Sequence, residues 1–434
     1  MSTIAILGGG MAGLGAAHFL DSNGLQSILF EQRTHLGGHA SSQAYESGFT
    51  FDEGPHVSFT KDVRIQQLFA QSVRGQYETL RAQVNNYWRG RWIPHPAQCN
   101  LRGLPDDLID RIVEELRQAL THPHSQPQTY EEWLVAAYGR TFAELFPMTY
   151  GRKYHTTPAS NMTVEWIGPR MYRPTLEEVI RGTTSESKAG THYVNEFRYP
   201  SKGGFGSYLQ NLAPRSTVRV AHELVHLDST QRTLTFRNGE VAAYDQVISS
   251  LPLPNLVPMI ADVPDAVVDA ARRLAATTCV VVNLGVNRPD LSESHWTYFY
   301  DPEIVFSRVS FPHMLSARNA PQGAGSIQAE IYFSQKYRPL DRKPEAYIDT
   351  VIADLRRCGV LREDDHIMFK TAVLIPYANV IFDLERVDAL ARVHAYLDEI
   401  GVVYCGRYGK WNHFWTDESF IDGELAAARV VQRL

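Results

Sequence analysis

The sequence predicts an α/β protein: a discontinuous Rossmann-like dinucleotide-binding domain with an inserted α+β substrate domain. Three observations carry this expectation. The apolar run Thr3–Leu7 leads into Gly8-Gly9-Gly10-Met11-Ala12-Gly13. Met11–Leu20 follows with good helical propensity and an apolar face, and Asn23-Gly24 ends it. Ser27–Phe30 then reads as a second strand closing on Glu31. Strand, glycine loop, helix and strand in this order open a doubly wound sheet.

Each residue of the loop has a physical task. Gly8 permits the tight turn, Gly10 lets the backbone approach a pyrophosphate, and Gly13 lets helix and strand pack closely. Met11 and Ala12 begin the helix, whose free N–H groups favour phosphate. Glu31 can accept hydrogen bonds from ribose hydroxyls, with Gln32 and Arg33 beside it. Leu36-Gly37-Gly38-His39 adds a second glycine pair, a pattern that resembles large FAD proteins. Arg33 adds positive charge near the diphosphate. The expected cofactor is therefore FAD.

The remaining elements follow from periodicity. Asp106–Leu120 places Leu108, Ile112, Leu116 and Leu120 on one helical face. Tyr130–Phe146 reads as a second amphipathic helix stopped by Pro147, with a loop at 122–128 between the two. Strands are expected at Thr217–Asp228, Thr233–Arg237 and Gln246–Ser249, with a turn at Asn238-Gly239. Further strands are expected at Cys279–Val286, Trp296–Tyr300 and Ser326–Phe333. Ala346–Cys358, Leu384–Glu399 and Glu424–Gln432 read as helices, and Val402–Cys405 as a late strand. The FAD-binding domain is assigned to 1–75, 200–275 and 375–434, and the substrate domain to 76–199 and 276–374.

The 434 residues are 44% hydrophobic and 21% charged, an ordinary globular balance. Forty-two Lys and Arg against 48 Asp and Glu give a net charge of -6, which argues against a nucleic-acid binder. The four cysteines show no close metal-ligand spacing, and the histidines no ligand pattern, so no metal is expected. No apolar run reaches the roughly 20 residues needed to span a bilayer. A cytoplasmic enzyme is the expectation.

Several segments resemble the UDP-galactopyranose mutases, above all their eukaryotic type, within the flavoprotein superfamily of amine and protoporphyrinogen oxidases. Phe51-Asp-Glu-Gly54-Pro55-His56 is similar to a loop whose histidine lies against the flavin. Trp92-Ile-Pro-His-Pro-Ala-Gln98-Cys-Asn100 resembles a segment lining the substrate cleft. Glu165-Trp166 and the run from Asn195 to Gly204 have counterparts. Tyr298, Arg308 and Tyr377 match residues that grip the nucleotide-sugar diphosphate. Cys405-Gly406-Arg407 resembles the C-terminal flavin motif. The resemblance also implies cofactor contacts at Val225 and Ser419, and substrate contact at His413. The chain departs from the pattern at Asn412-His413-Phe414, where a tyrosine is usual, and at His95 in the cleft segment.

The resemblance implies a nucleotide-sugar mutase interconverting pyranose and furanose rings through a sugar adduct at N5 of reduced FAD. His56 would shape the N5 side. Arg308 and Arg407 would favour the departing nucleotide diphosphate, with Arg170 or Arg173 as further candidate cations. The substrate partner would be a nucleotide-diphosphate sugar, with NAD(P)H or another reductant supplying electrons. The alternative is an FAD-dependent amine oxidase or protoporphyrinogen-oxidase-type enzyme. It would not need Tyr298 or Arg308.

Overall fold

A computed structural model describes residues 3–121, 126–185, 194–210, 212 and 217–433, and only the backbone of Pro169. Of the expected loop at 122–128, residues 122–125 lie outside the described residues. The chain is a mixed α/β structure built on two principal sheets. The first has five parallel strands in the order Val403–Tyr404, Gln246–Ser249, Ile4–Leu7, Ser27–Phe30 and Thr217–Arg219. All four residues of Ile4–Leu7 are buried, as a parallel strand covered on both faces requires. Ile4 and Ile6 pack toward the helices Met11–Ser22 and Thr416–Val431, with Ala16, Leu20, Ala427 and Val430. Ala5 and Leu7, one step out of phase, join the opposite core with Phe30, Leu234 and Phe236.

Glycines set how closely these parts approach. A Cβ on Gly13 would lie 1.8 Å from the Gly8 carbonyl oxygen. One on Gly15 would lie 2.0 Å from the Phe420 carbonyl, and one on Gly423 1.9 Å from that of Ala12. The first helix therefore touches both the loop that precedes it and the C-terminal helix at backbone distance.

The second sheet has seven strands in the order Ile367–Val380, Ala276–Val286, Gly325–Ser334, Arg308–Ser310, Trp296–Phe299, Val84–Trp88 and Arg91–Pro94. Its neighbours are antiparallel except Trp296–Phe299 and Val84–Trp88, which are parallel. The Ile367–Val380 strand runs across the boundary expected between residues 374 and 375, where the substrate domain gives way to the FAD-binding domain.

Three differences from expectation have local causes. Thr217–Asp228 divides into Thr217–Arg219 in the parallel sheet and Leu224–Asp228 in a separate three-stranded meander. Ala221 lies between them with a φ of +55°, which breaks an extended run. Pro147 does not stop its helix. It sits inside a single π turn, Glu144–Met148, and Thr149–His155 continues as helix. The wider turn accommodates a ring that cannot donate an i→i−4 bond. The C-terminal helix begins at Thr416 rather than Glu424, started by Glu418 accepting the Trp415 N–H.

Candidate active site

A cavity of about 610 Å³ opens at the carboxyl ends of the parallel strands, where Leu7 and Phe30 run into their loops. Ligands of open α/β sheets bind at that edge. Gly8, Gly10, Met11, Ala12, Glu31, Gln32, Arg33, Gly37, Gly38 and His39 line it. So do Gly54, Pro55, His56, Tyr298, Arg308, Tyr377, Gly406, Arg407 and Ser419. A second cavity of about 240 Å³ adjoins it, lined by Gln98, Trp166, Arg170 and His413 among a wall of aromatic residues. Tyr154, Tyr298, Arg308, Asn379, Arg407 and Trp415 line both.

The glycine loop is held in an open form. Gly10 precedes the Met11–Ser22 helix with no side-chain cap, so the first N–H groups of that helix are left for a ligand. A Cβ on Gly10 would have only the Gly38 Cα, at 3.9 Å, as a neighbour. Gly38, with φ +53°, brings its own backbone to the same place. Glu31 accepts the Gly9 N–H at 2.7 Å and the Arg33 N–H at 2.8 Å, fastening the two loops together.

Arg33 forks onto Glu53, at 2.9 Å from Nη2, and His39 Nδ1 lies 2.6 Å from the same carboxylate. Burial raises the Glu53 pKa, but hydrogen bonds from His39 and Arg33 outweigh it and bring it to about 2. Glu53 lines the cavity and was not singled out from the sequence, although it stands within the segment that contains His56.

His56 Nδ1 lies 2.8 Å from the Gly54 carbonyl oxygen. A carbonyl only accepts, so Nδ1 carries the proton and Nε2 keeps its lone pair. Burial lowers its pKa to about 4, and the ring is neutral at pH 7. Because the folded pKa lies below the ordinary imidazole value of 6.5, this contribution to stability is complete above pH 6.5 and is lost as pH falls toward 4. Unfolding midpoints measured from pH 7 to pH 4 should fall less steeply in His56→Phe than in the wild type. The shift corresponds to about 3 kcal/mol. Identical slopes would contradict the neutral assignment.

Strand register assembles the next group. Tyr298 pairs with Arg308, and Arg308 with Glu330, so the three stand in one row on one sheet face. Arg308 donates to Glu330 from both Nε and Nη2, the latter at 2.9 Å, and Tyr332 donates to the same carboxylate at 2.8 Å. The expected free cation at Arg308 is thus half of a largely buried ion pair. The Tyr298 hydroxyl accepts the Trp296 indole N–H at 3.2 Å.

Arg407 is different. Its guanidinium donates to the carbonyls of Phe414 and Ala378 and to the Asn379 side chain. Among the described residues no carboxylate forms an ion pair with it, so its charge stays uncompensated in the cavity. Tyr377 donates to Asn255 at 2.6 Å. His413 stacks on Phe382 with ring centroids 5.3 Å apart. Burial, reinforced by Arg407, His155, Arg170 and Arg386, holds it neutral.

Five expected residues do not line either cavity. Gly13 lies behind the loop, against Gly8. Asn100 is 2% exposed and donates to the Pro96 carbonyl. Asn195 is exposed, at the start of the outer strand Glu196–Pro200. Val225 falls where the strand register breaks between Leu224 and His226, and Glu223 and Leu224 line the cavity instead. Arg173 donates to the Ala136 carbonyl away from both cavities. Among the described residues no group of three or more His, Cys, Asp or Glu could hold a metal ion, and no helix is long and apolar enough to cross a membrane.

Residues 11–431 match the model of the flavin-containing amine oxidoreductases. The chain belongs to that family. Its fold superposes on a crystal structure of reduced UDP-galactopyranose mutase with a TM-score of 0.93 and 26% identity, over 100% of this chain and 96% of the mutase. A fatty acid isomerase from P. acnes that produces CLA shares the fold at a TM-score of 0.67 and 13% identity, over 99% and 98% of the two chains. In sequence, a 4,4'-diapophytoene desaturase of Staphylococcus aureus (strain Newman) is 22% identical over 286 residues. That match covers 58% of this chain and 56% of the desaturase, so the chain spans little more than half the length of that relative. Family membership implies FAD. The residues fit it: an uncapped helix N-terminus, a glycine at position 10 whose missing side chain leaves room, and a cavity continuing to His56 and Arg407.

Proposed function

We propose that this flavoenzyme is a nucleotide-sugar mutase that interconverts pyranose and furanose forms on reduced FAD. The observation that carries the reading is the uncompensated Arg407 guanidinium at the junction of the two cavities. A cation held by neutral groups, with no ion-pair partner among the described residues, favours an anion beside it. The high TM-score to reduced UDP-galactopyranose mutase supports the same reading.

In this reading segments 1–75, 200–275 and 375–434 hold the cofactor, while 76–199 and 276–374 present the substrate. Gly8, Gly10, Met11 and Ala12 face the diphosphate of FAD, and Glu31 orders the loop that meets its ribose. The reduced flavin, when bound, supplies the nucleophile. His56, neutral and anchored to Gly54, shapes the wall beside it. Arg407 attracts the substrate diphosphate, and Tyr298, Tyr377 and the outward N–H groups of Arg308 orient it. Gln98, Trp166 and His413 enclose the rest of the nucleotide sugar and exclude water.

The test is a titration of UDP, dTDP and GDP into the flavin-loaded protein, followed by flavin absorbance. At least one should bind, and Arg407→Met should weaken it about tenfold to a hundredfold, the equivalent of one charge-assisted hydrogen bond. A wild-type protein that binds none of the three, or a variant that binds equally well, would count against the mutase reading and favour an oxidase.

A further inference from the structure

His155 is a buried polar group to which the reading above gives no task. It closes the Thr149–His155 helix, and Thr156, with φ +63°, turns the chain away behind it. A hydrogen bond of 2.7 Å from Thr156 Oγ1 to Ser334 Oγ pins that turn. His155 is only 4% exposed, yet it lines the second cavity. Tyr154, edge-on at 4.8 Å between centroids, and Trp166, at 5.0 Å, fix its ring.

The two ring nitrogens are not equivalent. Nδ1 is buried and meets no hydrogen-bond partner. A buried N–H without an acceptor is costlier and rarer than an unmet lone pair. The proton is therefore assigned to Nε2, the nitrogen left to meet the cavity that His155 lines. Burial lowers the His155 pKa to about 3, so the ring is neutral at pH 7.

His413 lies across from it, with ring centroids 6.5 Å apart and its own plane set by the stack on Phe382. One oxygen atom can bridge such a gap at ordinary hydrogen-bond lengths of about 2.8–3.0 Å. A hydroxyl can accept from the His155 Nε2–H and donate to a lone pair of neutral His413. An ionised phosphate oxygen cannot donate, and Arg308 and Arg407 already mark the phosphate end where the cavities join.

We propose that His155 is a specificity-determining residue that binds a hydroxyl of the glycosyl group carried by the nucleotide, with His413 on the other side. The inference rests on the mutase reading. It is tested with flavin-loaded, reduced wild type, His155→Phe and His155→Gln, titrated with UDP, UDP-galactose and UDP-glucose. His155→Phe keeps the ring volume and removes both nitrogens. It should bind the better of the two nucleotide sugars about tenfold more weakly, while UDP affinity stays within about twofold. His155→Gln, which retains a donor, should fall between Phe and wild type, and it alone decides the matter if the Phe variant does not hold FAD. Equal losses for UDP and the nucleotide sugar would overturn the proposal, as would no loss in either variant. So would a wild type that binds UDP but neither sugar nucleotide. A wild type that binds none of the three probes, and neither dTDP nor GDP, would instead overturn the mutase reading and this inference together.

Discussion

Gly10→Val should give a folded protein that has lost its FAD. Gly10 has φ −77° and ψ −172°, extended backbone that any residue adopts. Backbone strain therefore does not oppose a Cβ at position 10. The obstacle is the ligand instead. A new Cβ meets nothing nearer than the Gly38 Cα at 3.9 Å, so the branched side chain enters the space through which the loop approaches a pyrophosphate. Overpacking of this kind costs about 3 kcal/mol, or roughly a hundredfold in affinity. Gly13→Ala is the contrasting case, because its Cβ would lie 1.8 Å from the Gly8 carbonyl oxygen and the loop itself would have to move. The measurement is flavin content per folded chain, with circular dichroism as the folding control. Wild-type FAD occupancy in Gly10→Val would contradict the loop's role.

Arg308→Ala should lower stability by about 3–5 kcal/mol, because it leaves the Glu330 carboxylate, 4% exposed, without its cation. The double variant Arg308→Met/Glu330→Met should recover most of that loss, since apolar side chains of similar volume replace a buried pair at little cost. Both should bind nucleoside diphosphates more weakly than the wild type, because the outward guanidinium N–H groups are gone. Urea unfolding at pH 7 separates the two effects. If Arg308→Ala unfolds at the wild-type midpoint, the ion pair does not hold the site. If the double variant binds UDP as the wild type does, Arg308 does not orient the diphosphate.

The parts of this site legible in the sequence are those whose chemistry is local. The glycine loop, Glu31, Gly37-Gly38, Gly54-Pro55-His56 and Gly406-Arg407 are short segments in which neighbouring residues determine the backbone, and each contributes residues to the cavity wall. The Arg308–Glu330 pair was not legible, because it depends on strand register between segments 22 residues apart. An acidic residue inside the buried run Ser326–Phe333 was the available signal, since such a group needs a partner. Tyr154 and His155 reach the cavity only because the helix continues past Pro147, and a proline in a helical pattern reads as a stop. Asn100 and Asn195 were assigned from motif likeness alone. Their side-chain positions follow from long-range packing that a motif does not encode.

Isomerisation of a nucleotide sugar without net redox, as proposed for this cavity, is measured by turnover on the two oxidation states of the flavin. Purified protein, oxidised or fully reduced with dithionite under anaerobic conditions, is incubated with UDP-galactopyranose, and the pyranose and furanose forms are separated chromatographically while the flavin spectrum is recorded. The expected result is conversion by the reduced protein only, over many turnovers, with the flavin still reduced at the end. Conversion by the oxidised protein, or oxidation and reduction of the flavin in step with the substrate, would contradict it.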